Sequence, residues 1–303
     1  MSLSSRKREI LALCTELSFH PQALSVLSDT VDAIAANPAA AERMEAAYAA
    51  YAADVTADFS ALLASASEAA ELTECHEYTV KLLLLCDLAL ILRRRYAEAG
   101  YDDALFLDSA MDLTYKLEEC RAVKGICGTF VADWFDRFYR LTRFALGRLQ
   151  FEDIRFGKHY EKDGKRLTPE SRVINIHIPR DGRPLSPELV SDALEKAYAF
   201  YRPLLPEDTP FAFFCSSWLL YDEHKHFLPP TSNLLSFAAL FDILESKDDE
   251  PGNYHNLWRL FDCDYNGDPD SLPASSSLRR AYIARLKAGL PTGHAEGVFF
   301  YRD

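Results

Sequence analysis

The chain has 303 residues, 49% hydrophobic and 26% charged, which is globular composition with enough apolar surface for one large or two ordinary cores. Its net charge of −13 argues against nucleic acid or an anionic membrane as partner, since both need a positive field. The charge is uneven: residues 1–122 hold 10 basic and 20 acidic side chains and the remainder 23 and 26, which leaves the second half able to receive an anion.

Residues 1–16 lack the apolar core and cleavage site of a secretory signal. The longest apolar run, 80–92, is interrupted by Lys81 and Asp87 and is too short to cross a bilayer. Seven cysteines (14, 75, 86, 120, 127, 215 and 263) form an odd set without a C-x-x-C pair. They read as buried thiols of a cytoplasmic protein, with neither disulfides nor a bound metal expected.

The pattern is helical up to residue 146. Pro21 opens a helix through Leu24, Leu27, Val31 and Ile34 that stops at Asn37. Pro38 opens the next, whose stripe Met44, Tyr48, Tyr51, Val55, Phe59, Leu62 advances by three and four residues. A third helix is expected over 71–99 before Gly100, and a fourth from the N-cap Asp102 to 123. After Gly125 and Gly128, residues 130–146 read as one more amphipathic helix. This half reads as a helical bundle with a supporting or acceptor-shaping role.

The period then changes to two. Residues 149–156 and 172–178 alternate as strands, joined through an Asp163-Gly164 turn signal, and are expected to pair antiparallel. Pro179 ends the second strand, and Ser186-Pro187-Glu188 opens a helix that runs to Tyr201. A buried strand follows at 211–215, then a helix at 232–244, a strand at 256–261, a helix at 277–289 and a strand at 297–301. The fold class is α+β, an all-helical N-terminal bundle (1–146) followed by a mixed β-sheet domain flanked by helices (147–303).

Several residues in the second part could carry chemistry. Between strand and helix, Pro179-Arg180-Asp181-Gly182-Arg183 combines a helix start, a glycine and two arginines, which suits a pyrophosphate and equally describes an ordinary capped turn. Alternation turns Ile174, Ile176 and Ile178 one way and Asn175 and His177 the other. His177 is therefore placed either to act as a base or to bond a neighbouring strand. Glu152 either orients that histidine or a substrate ammonium, or pairs with Arg148 or Arg172. Cys215 closes an apolar strand and reads as an inert thiol. The run from Asp262 to Asp270 resembles an EF-hand loop but has Pro273 where a bidentate glutamate belongs, so an acidic turn is expected.

Five stretches, in this order, resemble a bacterial two-domain acyltransferase family with a helical N-terminal domain and a GNAT-like C-terminal domain. They are Gly147-Arg-Leu-Gln-Phe-Glu152, His177-Ile-Pro179 with Pro184-Leu-Ser186, Cys215-Ser-Ser-Trp-Leu219, Leu228-Pro with Ser232-Asn233, and Gly293…Gly297-Val298. The resemblance implies acyl-CoA as co-substrate and direct attack by an amine of a small molecule or peptide. By position it makes His177 the base, with Glu152 the next candidate, and Ser217 or Tyr221 the donor to the leaving thiolate. It places the carrier on Ile178, Pro179, Arg180, Gly182, Arg183 and Ser186. The R-x-x-G-x-G signature of such loops is missing, which keeps a non-catalytic ligand- or partner-binding module as the alternative.

Overall fold

The computed structural model describes residues 2–207, 209–250, 252–254 and 256–302. It divides into two compact units, Met1–Phe144 and Ala145–Asp303.

The first unit holds seven helices of two turns or more among its described residues: α1 (Leu3–Glu16), α2 (Pro21–Ala36), α3 (Pro38–Ala53), α4 (Phe59–Thr73), α5 (Glu77–Glu98), α6 (Asp103–Ala110) and α7 (Asp112–Lys124). Their starts are written in the sequence. Asn37 ends α2 and caps α3 by accepting from Ala39 and Ala40 N–H, while Asp58 and Asp102 cap α4 and α6. Helix α5 packs against α1, α2, α3, α4, α6 and α7, and residues 82–89 are buried without a break. A stretch of helix that is buried on every side must be enclosed by others, and this one is.

Several expected boundaries differ. The stripe from Met44 to Leu62 is two helices, because Asp54 accepts from Thr56 N–H and hydroxyl and turns the chain. Helix α5 starts at Glu77, behind the His76 cap, rather than at 71, and Met111 divides the expected fourth helix into α6 and α7. Residues 130–146 are not one helix. A 3₁₀ turn (Ala132–Phe135) leads into the single turn α8 (Asp136–Tyr139), Leu141 takes φ 55°, and the chain enters strand β1 (Arg143–Leu146). The aromatic residues there are spent on tertiary contacts: Tyr139 donates to Leu85 O (2.6 Å), and Tyr51 donates to Tyr139 O (2.8 Å). Gly128 is obligatory in this region, since a Cβ would sit 2.5 Å from the backbone carbonyl carbon of Tyr78.

The second unit is built on a six-stranded sheet in the order β1-β2-β5-β6-β8-β7, with β2 (Leu149–Arg155), β5 (Arg172–His177), β6 (Ala212–Ser217), β7 (Asp242–Asp248) and β8 (Gly293–Phe300). Strands β3 (Tyr160–Lys162) and β4 (Lys165–Leu167) form a separate hairpin, with Asp163 and Gly164 both at positive φ, as a two-residue turn requires. Strands β2 and β5 pair antiparallel as expected, and the pairs β6/β8 and β7/β8 are also antiparallel. Strands β5 and β6 run parallel, joined by the crossover helix α9 (Pro187–Tyr201). Helix α9 buries Val190, Ala193, Leu194, Ala197 and Tyr201, and Tyr201 donates to Phe151 O (2.9 Å). On the opposite face Phe156, Val173, Ala212, Phe214 and Val298 form a second core with Leu167 of the hairpin.

Short helices α10 (His224–Phe227), α11 (Asn233–Ala238) and α12 (Leu257–Phe261) precede α13 (Ser277–Lys287). Two expectations fail here. The helix expected over 232–244 stops at Ala238, and the chain becomes edge strand β7, which pairs with β8 across a bulge. Gly297 allows that approach, because a Cβ would meet Phe241 at 2.7 Å. The strand expected at 256–261 is α12. Leu257, Leu260 and Phe261 share a helical face and bury together with Leu272 and Tyr282.

Candidate active site

Parallel pairing between β5 and β6 is confined to Ile174↔Phe213 and Asn175↔Phe214. Beyond these pairs the strands part before their ends at His177 and Ser217. Carboxyl ends of adjacent parallel strands are where open α/β sheets receive ligands, and this parting organises the site.

On one face, Glu152 lies opposite Asn175 and Gln150 opposite His177. His177 Nε2 is 3.2 Å from Glu152 Oε2, and Asn175 Nδ2 is 3.2 Å from the same nitrogen. Both acid and imidazole are withdrawn from solvent, at 7% and 18% side-chain exposure. Of the two partners the sequence offered to Glu152, Arg148 pairs with Asp181 and Arg172 with Asp153. Ser216 is exposed and continues this face, because Phe214 is in register with Asn175. The sequence reading passed over Ser216, although alternation from Phe214 would have found it. Ser217 turns the other way and its hydroxyl caps the next turn, accepting from Leu219 N–H (3.1 Å).

The loop after β5 is wound around Arg148. That guanidinium donates to the carbonyls of Pro179 (2.9 Å), Arg183 (3.2 Å) and Pro184 (3.3 Å), and meets Asp181 at 3.3 Å. Asp181, its side chain 1% exposed, also accepts from the backbone N–H and guanidinium of Arg183. Gly182 takes φ 78°, and Ser186 caps α9 by accepting from Leu189 N–H. Arg180 reaches away to Asp262, which also holds Arg279. Both loop arginines thus rest on carboxylates of the protein.

A cleft of about 560 Å³ opens between this loop and the segments after β6. Ile178, Leu185, Trp218, Leu219, Leu228 and Leu234 give it an apolar wall, and Arg148, Arg259, Ser232, Asn233 and Ser277 a polar one. Ile178, the first residue after β5, lines the cleft, and His177 at the strand's end is not among its lining residues.

Behind the strand ends lies a buried polar network. Tyr221 bonds Asp248, Arg285 donates to the Tyr221 hydroxyl (3.2 Å), and burial with Asp248 pushes the phenol up to about 12. Gly293 makes room for the Tyr221 ring, which a Cβ would meet at 2.2 Å. His224 is buried against Tyr282 (Nε2 to hydroxyl 2.5 Å), and burial holds its pKa down at about 4 instead of 6.5. Between those values the unfolded chain binds a proton that the native state refuses, so stability falls as pH drops from 6.5 towards 4, by up to about 3 kcal/mol. Urea denaturation at pH 7.5 and 4.5 should show this loss, and His224→Gln should flatten it; an equal loss in the variant would assign the slope to other groups.

Cys215 is fully buried, and burial raises its thiol well above the ordinary range, which fits an inert side chain. The acidic run at 262–270 is internally bonded: Asp262 holds two arginines, Asn266 accepts from Asp268 N–H, and Asp268 from Asp270 N–H. Among the described residues no helix is long and apolar enough to cross a membrane.

Comparison with known proteins follows the same division. Residues 143–299 match the GNAT-like C-terminal domain family, and residues 8–141 match the N-acyltransferase N-terminal domain family. Among solved structures, an acyltransferase in complex with decanoyl-CoA and teicoplanin is 25% identical, with 95% of this chain and 86% of that chain covered and a TM-score of 0.74. An acyltransferase in complex with CoA and 10C-teicoplanin is 27% identical, covering 75% of this chain and 68% of that chain at a TM-score of 0.62. An acyltransferase mutant in complex with octanoyl-CoA, 24% identical, shares the fold over 97% of this chain and 88% of that chain, with a TM-score of 0.76. No curated protein matches the chain.

Proposed function

This chain belongs to the two-domain family that joins an N-acyltransferase N-terminal domain to a GNAT-like C-terminal domain, and on that premise we propose that it is an acyl-CoA-dependent N-acyltransferase. The observation that carries the reading is the parting of β5 and β6, with a cleft lined by Ile178, Trp218 and Leu219 and the His177–Glu152 pair at the strand ends. Similar acyltransferases hold octanoyl- and decanoyl-CoA, which supports a medium-chain acyl donor. The acceptor is an amine of a small molecule or peptide, and the teicoplanin held by two of them supports a glycopeptide amine.

In this reading the carrier lies along Ile178–Pro179 and the loop to Ser186, with its thioester at the gap between the strands. His177, oriented by Glu152, takes the proton of the attacking amine. The C–N bond forms, the C–S bond breaks, and the thiolate leaves as the free thiol after gaining a proton. Ser216 stands closest in register to serve that thiolate or the amine; Ser217 and Tyr221 reach it only by leaving Leu219 N–H and Asp248.

A binding-only role has one observation in its favour: Arg180 and Arg183 already rest on Asp262 and Asp181. Calorimetric titration with octanoyl- and decanoyl-CoA, followed by thiol release across a panel of amines that includes a glycopeptide, separates the two. Binding with amine-dependent thiol release is expected. Binding without release would make the chain a ligand-binding module, and no binding by any acyl-CoA would end the acyltransferase reading.

A further inference from the structure

The face of the sheet that carries Val173, Asn175 and His177 changes character along its strands. Over the first part of β5 it is apolar, and Val173, Ala212, Phe214 and Val298 pack with Phe156 and with Leu167 of the β3–β4 hairpin. Past those residues the same face is polar. Register brings one side chain from each of five strands into a row there: Gln150 opposite His177, Ser216 opposite Glu296, and Glu296 opposite Glu245. Ser216 follows Phe214 by two positions as His177 follows Asn175, so the two halves of the row meet across the parting of β5 and β6. Ser216 and Glu245 are exposed, and Glu296 is partly so.

An amine of the chain itself lies on this row. Lys158, between β2 and the hairpin, bonds Glu296, and its Nζ is 3.8 Å from Glu245. Its ammonium is a point charge on a flexible stem, and the side chain is 36% exposed. A pair this open to solvent is weak, so a second ammonium can take the same place.

We propose that Glu296 selects the acceptor: it receives a second positive group of the attacking molecule, at the place where Lys158 Nζ lies, while the reacting amine stands between His177 and Ser216. This rests on the acyltransferase reading. His177 and Glu296 are two strand spacings apart, about 10 Å. The favoured acceptor is therefore an amine that carries a further cationic group about that far away, and the charge of Glu245 and Glu296 turns acidic acceptors aside.

The test compares hexylamine with hexamethylenediamine, which differ by one terminal ammonium, as acceptors for octanoyl-CoA. Thiol release is followed in the full chain, Glu296→Gln and Lys158→Met. The readout is the ratio of kcat/KM for the diamine to kcat/KM for the monoamine, in which any loss of folded enzyme cancels. The wild-type chain is expected to prefer the diamine beyond the statistical advantage of two amines. Glu296→Gln should lower the ratio about 3- to 10-fold, the worth of a partly exposed charge pair. Lys158→Met should raise it by removing the competing ammonium. An unchanged ratio in Glu296→Gln overturns the assignment. A ratio that Lys158→Met fails to raise also overturns it, because Lys158 would then hold the row's shape without occupying a cation site. No release with either amine or with a glycopeptide overturns the acyltransferase reading and this inference together. Release with the glycopeptide and with neither simple amine, or release indifferent to Glu296, overturns the inference alone.

Discussion

His177→Ala is expected to lower kcat about 10²- to 10⁴-fold, the range a positioned general base supplies, while CoA affinity stays near wild type. The split follows from the lining of the cleft: Ile178 contributes to its wall and His177 does not, so losing the imidazole leaves the cleft wall in place. Glu152→Gln keeps the side chain's shape and removes the charge beside Nε2, so it should lower kcat less than His177→Ala does. In the His177→Ala background the same change should add little, since residues that act as one unit are not additive. Added imidazole should return part of the activity to His177→Ala and none to a variant disabled by misfolding. Full turnover without His177 would place the base elsewhere, and a further large loss from Glu152→Gln in that background would point to Glu152.

The legible and illegible parts of this site divide by the range of the interactions involved. Strands β2 and β5, their antiparallel pairing, the Asp163-Gly164 turn and the capped start of α9 follow from alternation and local cap chemistry. The side of β5 that His177 occupies follows as well. What eludes a sequence reading depends on partners far along the chain. Arg180 and Asp262 are separated by 82 positions, and only the folded structure shows that their charges meet. Arg259 sat in an expected strand, where it could not be assigned to a cleft; the packing of Leu257, Leu260 and Phe261 with Tyr282 makes that segment a helix and brings the arginine to the site. Strand β7 was hidden for a related reason. As an edge strand it is mostly exposed and shows no alternation, and β8 rather than its own propensity gives it its structure.

Asp87→Ala is expected to cost the helical unit about 3–5 kcal/mol, the penalty for breaking a buried ion pair from one side. Asp87, which with Lys81 interrupts the apolar run of residues 80–92, is fully buried on α5. Its partner is Arg6 on α1, also fully buried, whose Nε and Nη2 each reach a separate carboxylate oxygen at 2.7 Å. Glu45 approaches the same guanidinium at 3.0 Å, and the ring of Tyr48 lies beneath it at 3.6 Å. Removing Asp87 leaves Arg6 charged and buried beside Glu45, which is partly open to solvent. Arg6→Met alone should be comparably damaging, because it strands Asp87 in the same apolar surroundings. The double variant Arg6→Met/Asp87→Leu should be far milder than the sum and could gain stability, since a buried pair roughly balances its own desolvation. Urea denaturation followed by the helical signal would measure all three. Losses that simply add would show that the two side chains act independently, and a cost below about 1 kcal/mol for Asp87→Ala would mean that the pair behaves as an exposed one does. The expected non-additivity would show that Asp87 and Arg6 act as one unit joining α1 to α5, which gives a carboxylate in the buried stretch 82–89 of α5 its partner.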